Sequence, residues 1–435
     1  MKIAILGFGI EGQSAYRYYR DQGTDITICD MNEALELPEG VHGKLGEGYL
    51  QDLSEFDVIL RTASINPTTI LAANAGIESK ITTVVNEFLR VCPTKNIIGV
   101  TGTKGKGTTS TLITKILEAS GHQVLLAGNI GISPLDSLHL VTPESWVVLE
   151  LSSFQLADLQ HSPHISVCLM IAPEHLNWHI DMEDYIRAKA QLFAHQNAHD
   201  IAIYFADNEY SHDIASASPG AKITYYAPPG AFVRGREEII IDEKVVCRVD
   251  ELKMLGEHNW QNACAAITAA WQVTKDVAAM HQVLTTFTGL EHRLEFVRTV
   301  DDVAYYDDSF GTMPEAAEVA IQAFTQPKVV ILGGSDKGAS FDGLAAQIKQ
   351  AQVRHVVLIG VTAAIIQAAL EKVGFTDFSE GGTTMRSIVA EARKYAQPGD
   401  VVLLAPACAS FGLFRDYKDR GEQFKAAVQA LPADD

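Results

Sequence analysis

The sequence has little that would staple or anchor a chain. Its six cysteines, Cys29, Cys92, Cys168, Cys247, Cys264 and Cys408, are scattered and no two form a CxxC pair. That excludes a disulfide framework or a cysteine zinc site and fits reduced thiols. No apolar stretch reaches the roughly 18 residues that a membrane helix needs. The opening MKIAILGFGIEG is apolar too briefly for a secretory signal and runs into glycines and a charge. Low-complexity tracts and internal repeats are absent from the sequence. Positive charge is scarce, with 34 Lys and Arg against 54 Asp and Glu and a net charge of −20. A chain without a basic footprint is no non-specific binder of nucleic acid or acidic membranes. Local basic groups can still hold small anions.

What is there is the alternation of an α/β protein. The 435 residues are 47% apolar and 20% charged, a length that predicts about three domains. Short apolar runs such as KIAILG (2–7), DITICD (25–30), NIIGVTG (96–102), SWVVLEL (145–151), KVVILGG (328–334) and DVVLLAPA (400–407) alternate with longer helical patterns. Near-continuous β-branched runs indicate strands buried on both faces, as in parallel sheets built from βαβ units. Glycine-rich strand ends recur after residues 7, 102 and 333, so each can open its own sheet. Boundaries near 91–95 and 289–295 divide the chain into 1–92, 93–292 and 293–435. Over about 201–255 the rhythm breaks, predicting a small β-rich excursion within the middle domain.

Two glycine motifs point at phosphate. GFGIEG (7–12) matches G-x-G-x-x-G between a strand and a helix, and Asp30 ends the next strand. Such glycines let backbone approach a diphosphate at a helix N-terminus. NAD or FAD, another nucleotide diphosphate, or a tight turn alone all fit, but Glu11 sets a carboxylate where a dinucleotide's diphosphate would lie. The second motif, GVTGTKGKGTTS (99–110), also lies between a strand and a helical run. Backbone N–H groups from Gly102 to Lys106, Thr103, Lys104 and Gly105 among them, can cradle phosphates. Lys106 can reach the terminal phosphates, and a hydroxyl just beyond it can bind Mg²⁺.

The loop departs from the usual G-x-x-x-x-G-K-[ST], since Val stands at 100 and Gly at 107. Its T-G-T-x-G-K-G-T form resembles the Mur ligase and folylpolyglutamate synthetase superfamily, with Thr108 as the metal hydroxyl and Gly107 and Thr109 in the loop. GNIG (128–131), LELSSFQL (149–156) and APEHLNWH (172–179) then follow in the order of the family's central domain. The resemblance implies ATP and two Mg²⁺ ions, with Thr108, Glu150, His175 and Lys189 as metal residues and Lys189 carbamylated by CO₂. His179 is expected to pack or face solvent. The resemblance also places Asn259 and Asn262 near adenine, Arg293 of GLEHRLE on phosphate, and Asp308 of YYDDSFGTMPEA on ribose. Lys106, His175, Lys189 and Arg293 would be the catalytic set.

Within the family the leading GxGxxG unit and APACASFGLFRDYKDRGEQF (405–424) resemble the glutamate-adding branch. This implies a Rossmann-like N-terminal domain, a central P-loop ATPase-like domain and a Rossmann-like C-terminal domain. The implied activity is cytoplasmic addition of D-glutamate to UDP-N-acetylmuramoyl-L-alanine through an acyl phosphate, in peptidoglycan precursor synthesis. Gly9, Ile10, Glu11, Asp30, Thr62 and Asn129 would meet the precursor; Thr312, Lys337, Ser410 and Tyr417 would meet glutamate. The enzyme is expected to be a monomer without membrane or nucleic-acid partners. Departures are Phe310 in place of a common lysine, LRTASINP (60–67) in place of S-P-G-[IV], and Met31–Asn32 in place of Thr-Arg. They leave open L-glutamate or another UDP-muramoyl precursor. A nucleotide-binding regulatory protein and an NAD-dependent oxidoreductase are the readings from other classes.

Overall fold

The computed structural model describes residues 1–432 apart from Gly131, Asn177, Leu255, Lys337 and Gly338. Residues Met1–Phe287 and Thr288–Asp435 form two compact units.

The first unit opens with β1 (Lys2–Leu6), α1 (Ile10–Arg20), β2 (Asp25–Asp30), β3 (His42–Leu45), β4 (Val58–Arg61), α2 (Pro67–Ala73), β5 (Ile81–Thr82) and α3 (Val84–Val91). The five strands are parallel in the order β3-β2-β1-β4-β5. The order reverses beside β1, so the crevice at its carboxyl end is the place where such a sheet binds ligands. The GFGIEG segment makes the turn there. A Cβ on Gly12 would stand 2.0 Å from the Gly7 carbonyl oxygen, so only glycine lets α1 pack this close to the strand end.

The middle sheet uses β6 (Ile97–Thr101), α4 (Lys106–Ala119), β7 (Val124–Gly128), α5 (Pro134–Ser137), β8 (Trp146–Glu150), α6 (Ser153–Leu156), β9 (Ile165–Cys168), α7 (Met182–Ala194), β10 (Ile201–Phe205), α8 (Glu209–Ser216) and β11 (Ala221–Tyr225). Its six parallel strands run β11-β10-β9-β6-β8-β7, with the switch at β6. Every residue of β6 is buried, as its β-branched run requires. The β-rich excursion is smaller than expected. β10 and β11 extend the parallel sheet, and only β12 (Phe232–Arg234), β13 (Glu238–Ile241) and β14 (Lys244–Arg248) form an antiparallel sheet. The apolar run of β10 and the mixed run AKITY of β11 are separated by α8, so both join the parallel sheet as βαβ units. Helices α9 (Glu257–Ala270) and α10 (Val277–Thr286) complete the unit. One continuous apolar core joins Ala15, Tyr19, Val84 and Phe88 to Leu135, Leu151 and Leu156, so the two sheets of this unit share a core, while a second cluster around Leu6, Leu53 and Ile59 belongs to the N-terminal sheet alone.

The second unit contains β15 (Glu295–Val300), β16 (Val303–Asp307), α11 (Pro314–Gln322), β17 (Lys328–Gly334), α12 (Asp342–Gln350), β18 (Val353–Gly360), α13 (Ala363–Lys372), β19 (Phe378–Glu380), α14 (Met385–Tyr395), β20 (Val401–Leu404) and α15 (Tyr417–Gln429). The sheet order is β15-β16-β20-β17-β18-β19, parallel except for the β15–β16 hairpin. Cores on both faces cover it. Among the described residues no helix is long and apolar enough to cross a membrane.

Candidate active site

The phosphate loop leaves β6 at the middle sheet's switch point, and α4 begins at Lys106. Gly105 precedes it at φ +84°, and a Cβ there would come within 2.2 Å of the Asn262 side-chain oxygen. The α9 residues Asn259 and Asn262 are joined, Asn262 Nδ2 donating to Asn259 Oδ1 at 3.1 Å. Asn262 lies against the loop, with Asn259 beside it on the same helix face. Thr103 fixes the other side: its N–H donates to the Met170 carbonyl at 2.9 Å and its hydroxyl to that of Ala172 at 3.0 Å. The Lys106 ammonium donates to the Gly102 and Thr103 carbonyls at 3.0 and 3.1 Å. Gly107 and Thr109 are buried in the first turn of α4 with Thr108 half-buried between them. Lys104 is exposed and pairs with Glu174 at 2.7 Å.

Lys189 reaches the same loop from α7. Its amine, fully buried, donates to the Gly102 carbonyl at 3.0 Å and lies 3.3 Å from the Thr101 hydroxyl. Burial first, then the neighbouring Lys106, pushes its pKa down to about 7. Glu150 ends β8 almost fully buried, and its Oε1 accepts from Asn129 Nδ2 at 2.9 Å. His175 sits in the left-handed region at φ +59°, a strain typical of functional loops. Its ring packs 4.8 Å from that of Phe154. Burial, with Lys106 and Lys189 nearby, lowers its pKa despite Glu174. His179 packs, its ring held between Asp184 and Ser153 at 2.9 Å each.

At the carboxyl end of the N-terminal sheet, Asp30 accepts the Phe8 N–H at 2.8 Å and the Thr62 hydroxyl donates to the Leu6 carbonyl at 3.0 Å. Gly9 and Ile10 are exposed at the start of α1. Glu11 is tied inward by the Ala63 N–H and Gln155.

In the second unit the segments 289–294 and 307–311 are laced together. The Leu294 N–H donates to Asp308 Oδ1 at 3.0 Å and the Phe310 N–H to the His292 carbonyl at 2.9 Å. His292 and Leu294 both take positive φ. The result sets the Arg293 guanidinium 4.8 Å over the Phe310 ring, a cation–π contact, with Tyr417 edge-on to Phe310. Asp308 is raised to about 7, chiefly by burial and against the pull of Leu294 N–H and Arg293. Arg420, fully buried, bonds the Ser309 hydroxyl and carbonyl and the Cys408 carbonyl, binding this segment to 405–410. Thr312 and residues 407–409 wall one small pocket, with the buried Ser410 next in the chain. Lys337 lies outside the described residues. His292, Glu295 and Asp307 offer ligand atoms within 4.8 Å of one another. Those atoms already serve a network: Asp307 holds His292 and the Ser309 N–H, and Glu295 holds the His292 N–H and Lys425. A cation there would compete with these bonds for the same side chains.

Residues 100–270 match the Mur ligase middle domain, and 292–408 match the Mur ligase, glutamate ligase domain. The chain belongs to the Mur ligase family. A UDP-N-acetylmuramoylalanine–D-glutamate ligase of Symbiobacterium thermophilum is 37% identical, covering 99% of this chain and 98% of its own. One of Clostridium tetani is 35% identical, covering 99% and 97%. Among solved structures, UDP-N-acetylmuramate-alanine ligase MurC of Thermotoga maritima shares the fold at TM-score 0.58 and 18% identity, covering 99% of each chain. MurF ligase of the same organism, in complex with ADP, shares it at TM-score 0.56 and 17% identity, covering 86% of this chain and 89% of its own.

Sequence reasoning for this Mur ligase missed several groups that shape the site. Glu174 and Phe154 had a signal, since each adjoins a named motif residue. Tyr185, whose hydroxyl meets Thr103 at 2.9 Å, and Arg420 had none beyond their place in a helix. The donor set suits Mg²⁺: Glu150 turns one oxygen to Asn129, and among the described residues nothing donates to the other. The Lys189 amine suits a cation only after conversion to a carbamate.

Proposed function

We propose that this Mur ligase joins D-glutamate to UDP-N-acetylmuramoyl-L-alanine with ATP, releasing ADP and phosphate in cytoplasmic peptidoglycan precursor synthesis. The observation carrying the reading is the phosphate loop with Lys106 curled over it and a buried Lys189, its pKa lowered to about 7, bonded to the Gly102 carbonyl. The name borne by full-length relatives supports the choice of substrates.

A carboxylate and an amine do not condense readily in water, so the carboxylate is activated first. A precursor carboxylate oxygen attacks the γ-phosphorus and ADP leaves. The α-amine of glutamate then attacks the acyl carbon, phosphate leaves, and the amine loses a proton. Backbone N–H groups of 102–106 and the α4 N-terminus hold the phosphates, and Lys106 swings from its two carbonyls to the transferring group. Asn259 and Asn262 bound the adenine side, while Asp308 takes the ribose and Arg293 a phosphate. Thr108, Glu150, His175 and carbamylated Lys189 would hold two Mg²⁺ ions, which supply neutralisation of phosphate charge. The carbamate forms when the neutral Lys189 amine attacks CO₂ and sheds a proton. Gly9, Ile10, Asp30, Thr62 and Asn129 line the precursor side. Thr312, Lys337, Ser410 and Tyr417 receive glutamate.

Phosphate release from ATP with UDP-N-acetylmuramoyl-L-alanine, offering each glutamate enantiomer separately, tests this. Release with D-glutamate and an amide product by mass is expected. Release with L-glutamate alone moves the reading to a ligase of opposite stereochemistry, and release with neither overturns it.

A further inference from the structure

We propose that Glu11 and Arg61 are positioning residues that clasp the precursor-side loop 62–66 onto α6, the helical turn following Glu150. The inference rests on the reading above, in which that loop serves the precursor and Glu150 and His175 serve the metal.

Glu11 stands in the glycine-rich turn where the sequence places it against substrate, yet both its oxygens are occupied by protein. Oε2 accepts the Ala63 N–H at 2.7 Å, and Oε1 accepts Gln155 Nε2 at 2.8 Å. One carboxylate thus holds the loop after β4 and the α6 turn together. It is the first of three α1 residues on one face, at i, i+3 and i+6. Ser14 accepts from the Ser133 hydroxyl at 2.7 Å, and Arg17 makes a two-pronged pair with Asp136 at 2.7 and 2.9 Å. All three meet segments that leave the carboxyl ends of β7, which leads into Asn129, and β8, which ends at Glu150.

Arg61 makes the second half of the clasp. It is fully buried at the end of β4. Nε donates to Asp158 at 2.7 Å, and Nη2 donates to the same carboxylate and to the Phe154 carbonyl at 2.9 Å. Nη1 donates to the Thr62 and Ile65 carbonyls at 3.3 and 3.2 Å. A planar fork reaches both sides at once, which a lysine's single point charge does not. Asn66 adds a third tie, donating to the Trp178 carbonyl at 3.1 Å.

The α6 turn passes these ties on. Only Leu151 and Ser152 separate it from Glu150. A capping box between Ser152 and Gln155 keeps it rigid, and Phe154 packs 4.8 Å from both His175 and Trp178. Moving α6 therefore moves the metal-side groups relative to the loop that holds the precursor. In-line attack on phosphorus tolerates little such movement, and a misplacement of about 1 Å costs on the order of 100-fold in rate.

The test compares wild type, Glu11→Gln and Arg61→Lys, with Asp158→Asn as the substitute should Arg61→Lys not fold. Four quantities are measured on each: kcat for D-glutamate-dependent phosphate release, KM for ATP, calorimetric Kd for UDP-N-acetylmuramoyl-L-alanine, and Tm. A kcat lowered roughly 10- to 100-fold, with Kd and KM moving less than about threefold, is the expected split. A precursor Kd weakened in step with kcat makes Glu11 a substrate ligand and overturns the clasp. An unchanged kcat beside a lowered Tm makes both residues purely structural and also overturns it. Wild-type protein inactive with this precursor overturns the functional reading instead, and the clasp with it.

Discussion

Lys189 carries an amine into the interior, and among the described residues no carboxylate is bonded to it, while Lys106 stands nearby. With its pKa near 7, a large share of the folded protein holds it neutral at physiological pH, the form that reacts with CO₂. ¹³C-bicarbonate is therefore expected to give a carbamate signal that grows between pH 6 and 8, within about one unit of that pKa, and is absent from Lys189→Arg. The same variant should fold yet lose on the order of 100-fold or more in phosphate release, as loss of a charge-stabilising group does. Asp308 offers the opposite titration. Burial holds its pKa near 7 in the fold, against about 4 in an unfolded chain. Across that window the folded protein keeps a proton that the unfolded chain has released, so this group costs stability progressively as pH rises from about 4 to 7. Asp308→Asn retains an acceptor for the Leu294 N–H and removes the titration. Its Tm relative to wild type should climb between pH 5 and 7, as the cost of the buried carboxyl builds up in wild type; a difference flat with pH would sink the argument.

Among the elements, the junction of β6 and α4 concentrates the constraints. The loop must turn into a helix within four residues, present its N–H groups outward and still pack under Asn262. Gly105→Ala meets both obstacles at once, a left-handed φ and a collision with the Asn262 side chain. The expected cost is about 1–3 kcal/mol of stability with loss of ATP binding, read by denaturant titration and by nucleotide calorimetry. In the second unit the same economy recurs: His292, Leu294 and Ala407 all hold positive φ in segments that carry Arg293, Asp308 and Ser410. The buried Arg420 and the His292–Asp307 pair hold these second-unit segments in place.

For the whole molecule, packing on strands, helices and loops alike leaves no thiol accessible. All six cysteines are free and buried, and burial raises the pKa of Cys29 and Cys247 to about 12. A thiol reagent should leave the native protein largely untouched and titrate all six groups after unfolding. Rapid native reaction of any of them would contradict the packing. The acidic surface implied by a net charge of −20 also means that anionic substrates are drawn by local groups such as Lys106 and the α4 N-terminus, not by the overall field.

Period and punctuation along the chain determined most of the elements: β-branched runs became β1, β6, β17 and β20, and the glycine motifs fell at strand-to-helix turns, because backbone preference and burial pattern are local properties. The phosphate loop was legible for the same reason, since its chemistry lies within a dozen consecutive residues. Only tertiary structure decided that β10 and β11 join the middle sheet, that β20 inserts between β16 and β17, and that the first two sheets share a core. Nor does the sequence say that Glu11 meets Gln155, 144 residues away, or Arg61 meets Asp158, 97 away. A buried polar group must find a partner, but which one it finds depends on how whole sheets pack, and no local pattern of residues encodes that choice.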